Sequence, residues 1–291
     1  MAVTASMVKE LRERTGAGMM ECKKALVETN GDMEAAAEHL RMTGLAQADK
    51  KASRVAAEGK LALAASEDGK EVVMVEINCE TDFVAKDANF LAFTESVAAN
   101  ALTSGAADVE TLSETEMNGG TVEQARQALV SKIGENIQIR RISRLKSDHK
   151  IGAYVHGGRI GAIIEVEGGD NEVAHDIAMH VAALNPEYID VDDVPAEVLE
   201  KEKQFLISQA ADSGKPADII EKMVSGRMRK HISSITLLGQ DFVKDGDMTV
   251  AQLLKKNNAS VKGMTRLAVG EGIEKKQDNF ADEVMQQVKG G

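Results

Sequence analysis

The chain has 291 residues, enough for two or three domains with separate cores, and an apolar content of 43% is typical of a globular protein. Its formal net charge of −12 argues against a nucleic-acid-binding protein, because contacts to phosphates need a basic face. The two cysteines lie far apart, and the sequence shows neither a membrane-length apolar run nor a signal-peptide pattern, so we expect a reduced, cytoplasmic protein.

The N-terminal residues predict a helical bundle followed by a helical linker. Apolar periodicity indicates helices at residues 5–15, 19–29 and 32–42, and residues 45–58, which are polar and rich in alanine, are interpreted as the linker. Met19 and Met20 are adjacent, so both cannot point inward. We expect one to fill the core, the ordinary role of methionine, and the other to belong to a pliable contact surface.

A predicted β-hairpin leads into an unusual loop. Residues 60–65 and 70–79 predict two strands joined by a tight turn at Asp68 and Gly69. The charged residues that follow include Phe83. A phenylalanine is ordinarily buried in its own core, but phenylalanine is scarce here, with 6 in 291 residues, so an aromatic inside a charged loop is not filler. We interpret Phe83 as an exposed anchor for a partner, whose burial there would be worth about 1.5–3 kcal/mol.

Two stretches of the chain resemble each other. Residues 73–99 and 162–183 both predict a strand with one glutamate, Glu76 or Glu165, and a helix that ends in Val-Ala-Ala. The first copy is five residues longer between the glutamate and that valine, and the loop that carries Phe83 accounts for the surplus. The two copies are therefore interpreted as related α+β subdomains.

Further elements complete both copies. The first continues with a helix at 89–104, an acidic stretch at 105–120 interpreted as a loop with about one helical turn, a helix at 122–133 and a strand at 137–145. The second begins with a hairpin of residues 151–156 and 159–167, turned by Gly157 and Gly158. It continues with a helix at 173–184 and a later helix end and strand at 253–267.

An insertion interrupts the second copy at residues 186–238. Pro195 opens a predicted helix that runs to residue 213, a turn follows at 214–216, and a second helix returns over 217–232. We interpret the pair as a projecting coiled-coil arm. Its facing apolar positions are predicted to be Val198, Phe205, Leu206 and Ile207 against Ile219, Ile220, Met223 and Met228. Residues 279–288 predict a short amphipathic helix.

Motifs spread in order along the chain are similar to those of one protein family. They are LRERTGAGMM (11–20), TDFVAKD (81–87), KIGEN (132–136), HGGRIG (156–161) and VGEGIE (269–274). Together they resemble the elongation factor Ts family, the bacterial nucleotide exchange factors of elongation factor Tu. The family usually has His-Gly-Ala in the fourth motif, where this chain has Gly158.

The resemblance implies an α+β fold. The expected parts are an N-terminal three-helix bundle similar to a ubiquitin-associated domain with its linker (residues 1–55), core subdomain N (56–146), and core subdomain C (147–185 and 239–270). Both core subdomains are expected to have antiparallel sheets. The inserted coiled-coil hairpin (186–238) and a C-terminal module (271–291) complete the list.

The resemblance also implies a function. It indicates a guanine nucleotide exchange factor, not an enzyme and without a cofactor, that binds GDP-bound and nucleotide-free elongation factor Tu and displaces the Mg²⁺ ion. In the family an Asp-Phe pair enters the partner near the metal, a role that falls on Asp82 and Phe83, with Thr81 and Val84 shaping the loop. Further contact residues carried over from the family are Arg12, Met19, Met20 and His156. A heterodimer with elongation factor Tu and possible higher assembly is expected, with no nucleic acid or membrane as partner.

Two other hypotheses stay open at this point. Glu80, Asp82 and Asp87 could hold a divalent metal ion, although their spacing fits no calcium loop and a metal site has no use for Phe83 beside it. The chain could also be an adaptor that uses its bundle and arm without exchange activity.

The remaining charged and imidazole groups are given ordinary roles. His175 and His180 are interpreted as plain helix residues, since their spacing is wrong for two ligands on one helical face. The basic clusters at residues 140–146 and 227–231 are interpreted as solvated faces or protein-contact charges.

Overall fold

The computed structural model describes residues 3–211 and 216–274, apart from the side chains of residues 45–47, 49 and 211. The chain divides into two compact units. The first comprises Met1–Lys60, Val75–Ile142 and Val269–Gly291, and the second comprises Leu61–Met74 and Ser143–Ala268.

Helices and small antiparallel sheets alternate along the described chain, which confirms the α+β class. The helices are α1 (Ala5–Thr15), α2 (Met19–Glu28), α3 (Met33–Lys51), α4 (Ala88–Ser104), α5 (Val109–Glu114), α6 (Val122–Ile133), α7 (Asn171–Leu184), α8 (Ala196–Ala211), α9 (Ala217–Ile235) and α10 (Val250–Lys256). The strands are β1 (Glu58–Ala65), β2 (Glu71–Cys79), β3 (Glu116–Met117), β4 (Gly120–Thr121), β5 (Gln138–Lys146), β6 (Lys150–His156), β7 (Ile160–Gly168), β8 (Asp241–Phe242), β9 (Asp245–Thr249) and β10 (Ala259–Ala268).

The predicted N-terminal bundle is confirmed as α1, α2 and α3. The Thr4 side chain accepts a hydrogen bond from Met7 N at 3.3 Å and so caps α1, and Gly16, with φ of 70°, ends it. The bundle closes over one apolar cluster, which consists of Val8, Leu11, Ala17, Cys22, Ala25, Leu26 and Ala36.

The linker is helical only in part, because α3 runs on to Lys51 and β1 already begins at Glu58. The prediction of a helix over 45–58 is therefore wrong for its second half. The Asn136 side chain donates to the carbonyl oxygens of Arg54 at 2.7 Å and Ala52 at 3.4 Å. This amide binds carbonyls just beyond the helix end, so the chain turns away there.

The strand β2 carries a buried charge in the first unit. Glu76 is fully buried, and its carboxylate accepts hydrogen bonds from Arg141 Nε at 2.5 Å, Gly270 N at 2.8 Å and Arg140 Nη1 at 3.1 Å. Burial by itself would raise the pKa of Glu76, but the Gly270 N–H and the two guanidinium groups outweigh it and hold that pKa below its usual value. Glu271 completes the cluster through Arg140 and Arg141.

The interpretation of residues 140–146 as a solvated face is therefore wrong for Arg140, Arg141 and Arg144, whose side chains are less than one third exposed. The Lys146 side chain is 77% exposed. In the second unit, Arg144 and Lys146 likewise pair with Glu71. The basic side chains of β5 thus pair with two carboxylates of β2, which are Glu76 in the first unit and Glu71 in the second.

The second unit has a three-stranded sheet with β7 in the middle, paired antiparallel to β6 and β10. The helix α7 packs closely on β6 because Gly152 has no side chain. A Cβ atom at Gly152 would lie 2.0 Å from the carbonyl oxygen of Ala174. The core beneath includes Ile164, Val166, Ile177, Val181, Leu237 and Phe242.

His180 lies inside this core and is not a solvated helix residue. Its Nδ1 accepts from Val243 N at 3.2 Å, so Nε2 carries the proton and donates to Gln240 Oε1 at 2.9 Å. Burial lowers the pKa of His180. The neutral imidazole therefore ties α7 to the short β8–β9 ribbon, which the sequence did not predict.

The two similar stretches have the same order of strand, connection and helix. In the first, residues 80–87 connect β2 to α4; in the second, residues 169–170 connect β7 to α7. The predicted surplus is confirmed to lie in the connection that carries Phe83.

The acidic stretch at 105–120 has more structure than predicted. Asp108 caps α5 by accepting from Thr111 N at 2.7 Å, and β3 and β4 form a two-stranded ribbon. These elements are too short to produce a hydrophobic period, so the pattern could not reveal them.

The arm consists of α8 and α9, packed through a small core of Leu206, Ala210 and Val224 with Ile220 and Met228 beside it. Phe205, Ile207 and Ile219 are exposed, so the prediction that they face the opposite helix is wrong. Consecutive residues are about 100° apart around a helix, and Leu206 occupies the inward direction. The predicted end of α8 at 213, residues 214–215 of the turn, and the predicted helix at 279–288 lie outside the described residues.

None of the helices in the described ranges is both long and apolar enough to cross a membrane.

We predict that Glu76→Gln lowers the free energy of unfolding by about 2–4 kcal/mol, because it leaves two guanidinium groups without their buried carboxylate. Urea unfolding followed by circular dichroism measures the loss. Glu165→Gln is the matched control, since that half-buried side chain accepts one described bond, from Ser147, which glutamine can also accept; we expect about 1 kcal/mol or less.

The same variant gives a pH test. Because the folded-state pKa of Glu76 is lowered, its stabilisation is present above the unfolded-state pKa of about 4.3 and is lost as the pH falls through the folded-state pKa. The difference between wild type and Glu76→Gln should therefore narrow below about pH 4. A constant difference from pH 7 to pH 3 would contradict the assignment.

Candidate functional site

The loop of residues 80–87 presents Phe83 to solvent. The Phe83 side chain is 81% exposed, whereas Val84 is half-buried and Ala85 is buried. Val84–Lys86 form a single 3-10 turn with Phe83 as its N-cap. The side chains of Phe83, Val84 and Ala85 therefore point in different directions. The sequence prediction that this ring stands outside its own core is confirmed.

Glu135 fixes the first half of the loop. Its carboxylate accepts hydrogen bonds from Glu80 N at 3.1 Å, Thr81 N at 3.0 Å and Thr81 Oγ1 at 2.7 Å. In return, Asn136 N donates to Glu80 Oε1 at 2.6 Å. Each of the two segments thus satisfies backbone N–H groups of the other through a carboxylate, an arrangement stronger than bonds between neutral groups.

Thr81 passes this constraint on to the turn that carries the phenylalanine. Its hydroxyl donates to Glu135 and accepts from Val84 N at 3.3 Å, and its carbonyl accepts from Ala85 N at 3.2 Å. The backbone that follows Phe83 is therefore bound at two points to Thr81, which precedes the ring by two residues.

Asp87 fixes the other end of the loop as the N-cap of α4. Its carboxylate accepts from Asn89 N at 2.8 Å and Phe90 N at 3.3 Å, and the Phe90 ring is fully buried. The side-chain hydrogen bond from Asn89 is the main reason that the pKa of Asp87 lies below its usual value. Lys132 Nζ, from the last turn of α6, donates to Asn89 Oδ1 at 2.6 Å. This bond links the start of α4 to α6.

Asp82 lies beside the exposed ring and pairs with Lys86 at 2.7 Å, four residues later. Both side chains are more than half exposed. Exposed pairs of this kind contribute only about 0–1 kcal/mol, so Asp82 can exchange Lys86 for another donor at little cost.

The geometry does not favour a metal site at this loop. Glu80 accepts from Asn136 N, Asp82 pairs with Lys86, and Asp87 caps α4. Within residues 3–211 and 216–274, no three His, Cys, Asp or Glu side chains are grouped so that they could hold a metal ion.

The N-terminal candidates are exposed residues of the first unit. Met19 and Met20 are 59% and 75% exposed, so the prediction that one of them fills the core is wrong. Both belong to the first turn of α2, where Gly18 N donates to Glu21 Oε2 at 3.3 Å, and the inward positions are taken by Ala17 and Cys22. Arg12 is exposed near the end of α1.

His156 lies in the second unit, at the tip of the β6–β7 hairpin. Its side chain is exposed, and its Nδ1 is 3.0 Å from the Tyr154 hydroxyl. Gly157 and Gly158 follow with φ of 57° and 72°, in the left-handed region that glycine adopts without strain.

The residues that support the loop carry no role in the sequence-based predictions. Glu135 and Asn136 occur in the KIGEN motif, and Lys132 opens it, but no role was assigned to any of them. One sequence signal points to this segment, since Gly134 follows the predicted helix at 122–133, and the polar Glu135 and Asn136 then precede the buried Ile137.

Comparisons with known proteins agree with this arrangement of motifs. Residues 80–271 match the family described as Elongation factor TS. The chain is 58% identical to Elongation factor Ts of Thioalkalivibrio sulfidiphilus over 292 positions, covering all of both chains, and 57% identical to that of Halorhodospira halophila over 289, covering 99% of each. It is also 58% identical to Elongation factor Ts of Hydrogenovibrio crunogenus over 285 positions, covering 98% of this chain and 97% of the relative.

We predict that Glu135→Ala frees the loop without unfolding the first unit. Removing the carboxylate takes away a charged acceptor from two backbone N–H groups, so the Glu80 and Thr81 amides should exchange about 10- to 100-fold faster. Hydrogen exchange resolved to single amides by NMR measures the effect.

The matched control is Glu95→Ala, which removes an exposed glutamate from α4 and should leave the loop amides unchanged. Equal exchange rates in wild type and Glu135→Ala would show that something else holds the loop.

Proposed function

The chain belongs to the elongation factor Ts family, whose members act in translation elongation, and we propose that it is a guanine nucleotide exchange factor for elongation factor Tu. In this proposal it binds the GDP form of the partner, displaces Mg²⁺, and releases GDP so that GTP can bind. The observation that carries the proposal is Phe83, an aromatic ring 81% exposed on a loop whose backbone is held at both ends.

The proposed wedge consists of Phe83 and Asp82, with Thr81 and Val84 shaping the loop. Exposure of the apolar Phe83 ring to water is unfavourable. Its transfer into a cleft of the partner would therefore contribute about 1.5–3 kcal/mol to the binding free energy. Because the loop is fixed before binding, little conformational entropy is lost when the ring enters.

In this mechanism Asp82 sets the orientation in which the Phe83 ring enters the partner. By leaving Lys86 it can accept a charge-assisted hydrogen bond from the partner, which fixes the angle at which the ring enters. A GTPase holds its nucleotide partly through a positioned Mg²⁺ ion, so moving the element that positions the metal weakens the hold on GDP.

Thermodynamic linkage makes the factor and GDP weaken each other's binding to the partner. If the factor weakens GDP binding by a given ratio, GDP weakens binding of the factor by the same ratio. Each tenfold step takes about 1.4 kcal/mol of differential contact energy, so a single ring cannot supply a large ratio. Additional contacts are therefore part of the proposal, and the assigned residues are Arg12, Met19, Met20 and His156.

The finer architecture also belongs to the proposal. We assign a ubiquitin-associated-like bundle (1–55), core subdomains N (56–146) and C (147–185 with 239–270), a coiled-coil arm (186–238) and a C-terminal module (271–291). The factor is not an enzyme and uses no cofactor, because no bond is made or broken. It acts in the cytoplasm as a heterodimer with elongation factor Tu.

Phe83→Ala should slow factor-stimulated GDP release by about 10- to 100-fold at saturating factor, while complex formation is affected less. Stopped-flow release of fluorescent GDP from elongation factor Tu gives the rate. Phe205→Ala is the control, since it removes an exposed phenylalanine from the arm. An unchanged rate for Phe83→Ala would contradict the wedge, and binding without any stimulated release would indicate an adaptor.

Asp82→Asn keeps the size of the side chain but removes its charge. Since charge-assisted hydrogen bonds are about twice as strong as neutral ones, we expect stimulated release to slow by about threefold to tenfold in the same assay. Lys86→Gln removes the exposed ion pair to Asp82 but keeps the Asp82 carboxylate, and it should leave the rate within about twofold. The opposite ranking of the two variants would assign the directing charge to Lys86.

A further inference from the structure

A group of three rings lies on the helix-facing side of β6 in the second unit. Gly152, Tyr154 and His156 share one face of that strand because they are two residues apart. The Tyr154 hydroxyl lies 3.0 Å from His156 Nδ1, and the ring of His175 on α7 meets the Tyr154 ring edge-on, with 5.6 Å between centroids. Tyr154 has no role in the exchange mechanism above.

The body of Tyr154 is held firmly. It is half-buried and packs against the core under α7, while His175 covers its other side. His175 Nδ1 lies 3.1 Å from the carbonyl oxygen of Ala153, and because a carbonyl only accepts, that nitrogen carries the proton. The phenol is thus fixed in the place from which its hydroxyl reaches His156.

The backbone at His156 is fixed as well. Arg159 N donates to the carbonyl oxygen of His156 at 2.9 Å, which closes the turn. Leu61 N donates to the carbonyl oxygen of Gly158 at 2.8 Å, which ties the tip to β1 within the second unit. The orientation of the imidazole is then the main freedom left at this tip, and the Tyr154 hydroxyl restricts it.

Elementary acid–base chemistry assigns the direction of the bond. A phenol, with a pKa of about 10, is the better donor, and a neutral imidazole, with a pKa of about 6.5 for its conjugate acid, is the better acceptor. The Tyr154 O–H therefore donates to His156 Nδ1. The proton of the neutral ring is then on Nε2, the nitrogen that the exposed side chain can turn toward a partner.

We propose that Tyr154 is a positioning residue that holds His156 in the Nε2–H tautomer, ready to donate to an acceptor oxygen on the partner protein. The matching group is a carbonyl or carboxylate oxygen, not a cation or an aromatic ring. This inference rests on the proposed function for the identity of the partner, but the tautomer of His156 does not depend on it.

The first test measures the tautomer in the full chain without any partner. Side-chain ¹⁵N NMR at a pH where His156 is neutral should show one dominant Nε2–H form in wild type. Tyr154→Phe keeps the packed ring but removes the hydroxyl, and should give a mixture of both tautomers. Tyr188→Phe changes the other of the two tyrosines and should leave the His156 signals unchanged. Identical spectra for wild type and Tyr154→Phe would overturn the proposal.

The second test asks whether Tyr154 acts through His156. Tyr154→Phe should raise the dissociation rate of the complex with nucleotide-free elongation factor Tu by about threefold to tenfold, the range expected for one hydrogen bond. In a His156→Ala background the same change should have no further effect. An equal effect in both backgrounds would show that Tyr154 acts elsewhere and would overturn the positioning role.

The two tests separate this inference from the exchange mechanism. A chain that binds elongation factor Tu but does not stimulate GDP release refutes the exchange function and leaves both measurements intact. A chain that forms no such complex overturns the partner contact of His156, whatever its tautomer.

Discussion

An exposed phenylalanine is unfavourable in water, and the described structure keeps Phe83 outside by fixing the backbone around it. The central interaction is a set of reciprocal hydrogen bonds: the Glu80–Thr81 segment donates to the Glu135 carboxylate, and Asn136 N donates to the Glu80 carboxylate. Asp87 holds the far end of the loop as a helix cap. With both ends held by hydrogen bonds, the turn presents the Phe83 ring 81% exposed, so its apolar surface is open to solvent.

The same strand that leads into this loop also carries the buried charge of the first unit. Glu76 accepts from Arg140, Arg141 and Gly270, and four residues later Glu80 meets Asn136. Buried carboxylates that are fully hydrogen-bonded hold their partners in one geometry, although they add little net stability compared with apolar packing. In this unit they fix the strand from which the loop departs.

The two similar stretches share a strand followed by a helix but differ in the connection between them. A connection of residues 169–170 is enough to join β7 to α7, whereas residues 80–87 join β2 to α4 and add an exposed ring. In the second unit the exposed group is instead His156, at a hairpin tip where a core-packed tyrosine orients a polar side chain. In both places a neighbouring side chain restricts the exposed group: the Thr81 hydroxyl accepts from the backbone that follows Phe83, and the Tyr154 hydroxyl lies 3.0 Å from His156 Nδ1.

The sequence alone determined the order of the longer helices and strands, the family and the exposure of Phe83, because hydrophobic period, turn residues and motifs are local signals. It also predicted where the surplus loop falls. Only the tertiary structure decided which charges are buried, that both Met19 and Met20 face outward, and that Phe205, Ile207 and Ile219 do not pack in the arm. Glu76 with Arg141 and Thr81 with Glu135 are more than fifty residues apart, and a pairing between such distant residues leaves no periodic trace in one sequence. Whether a charge is solvated or buried depends on these distant partners, which only the folded chain brings together.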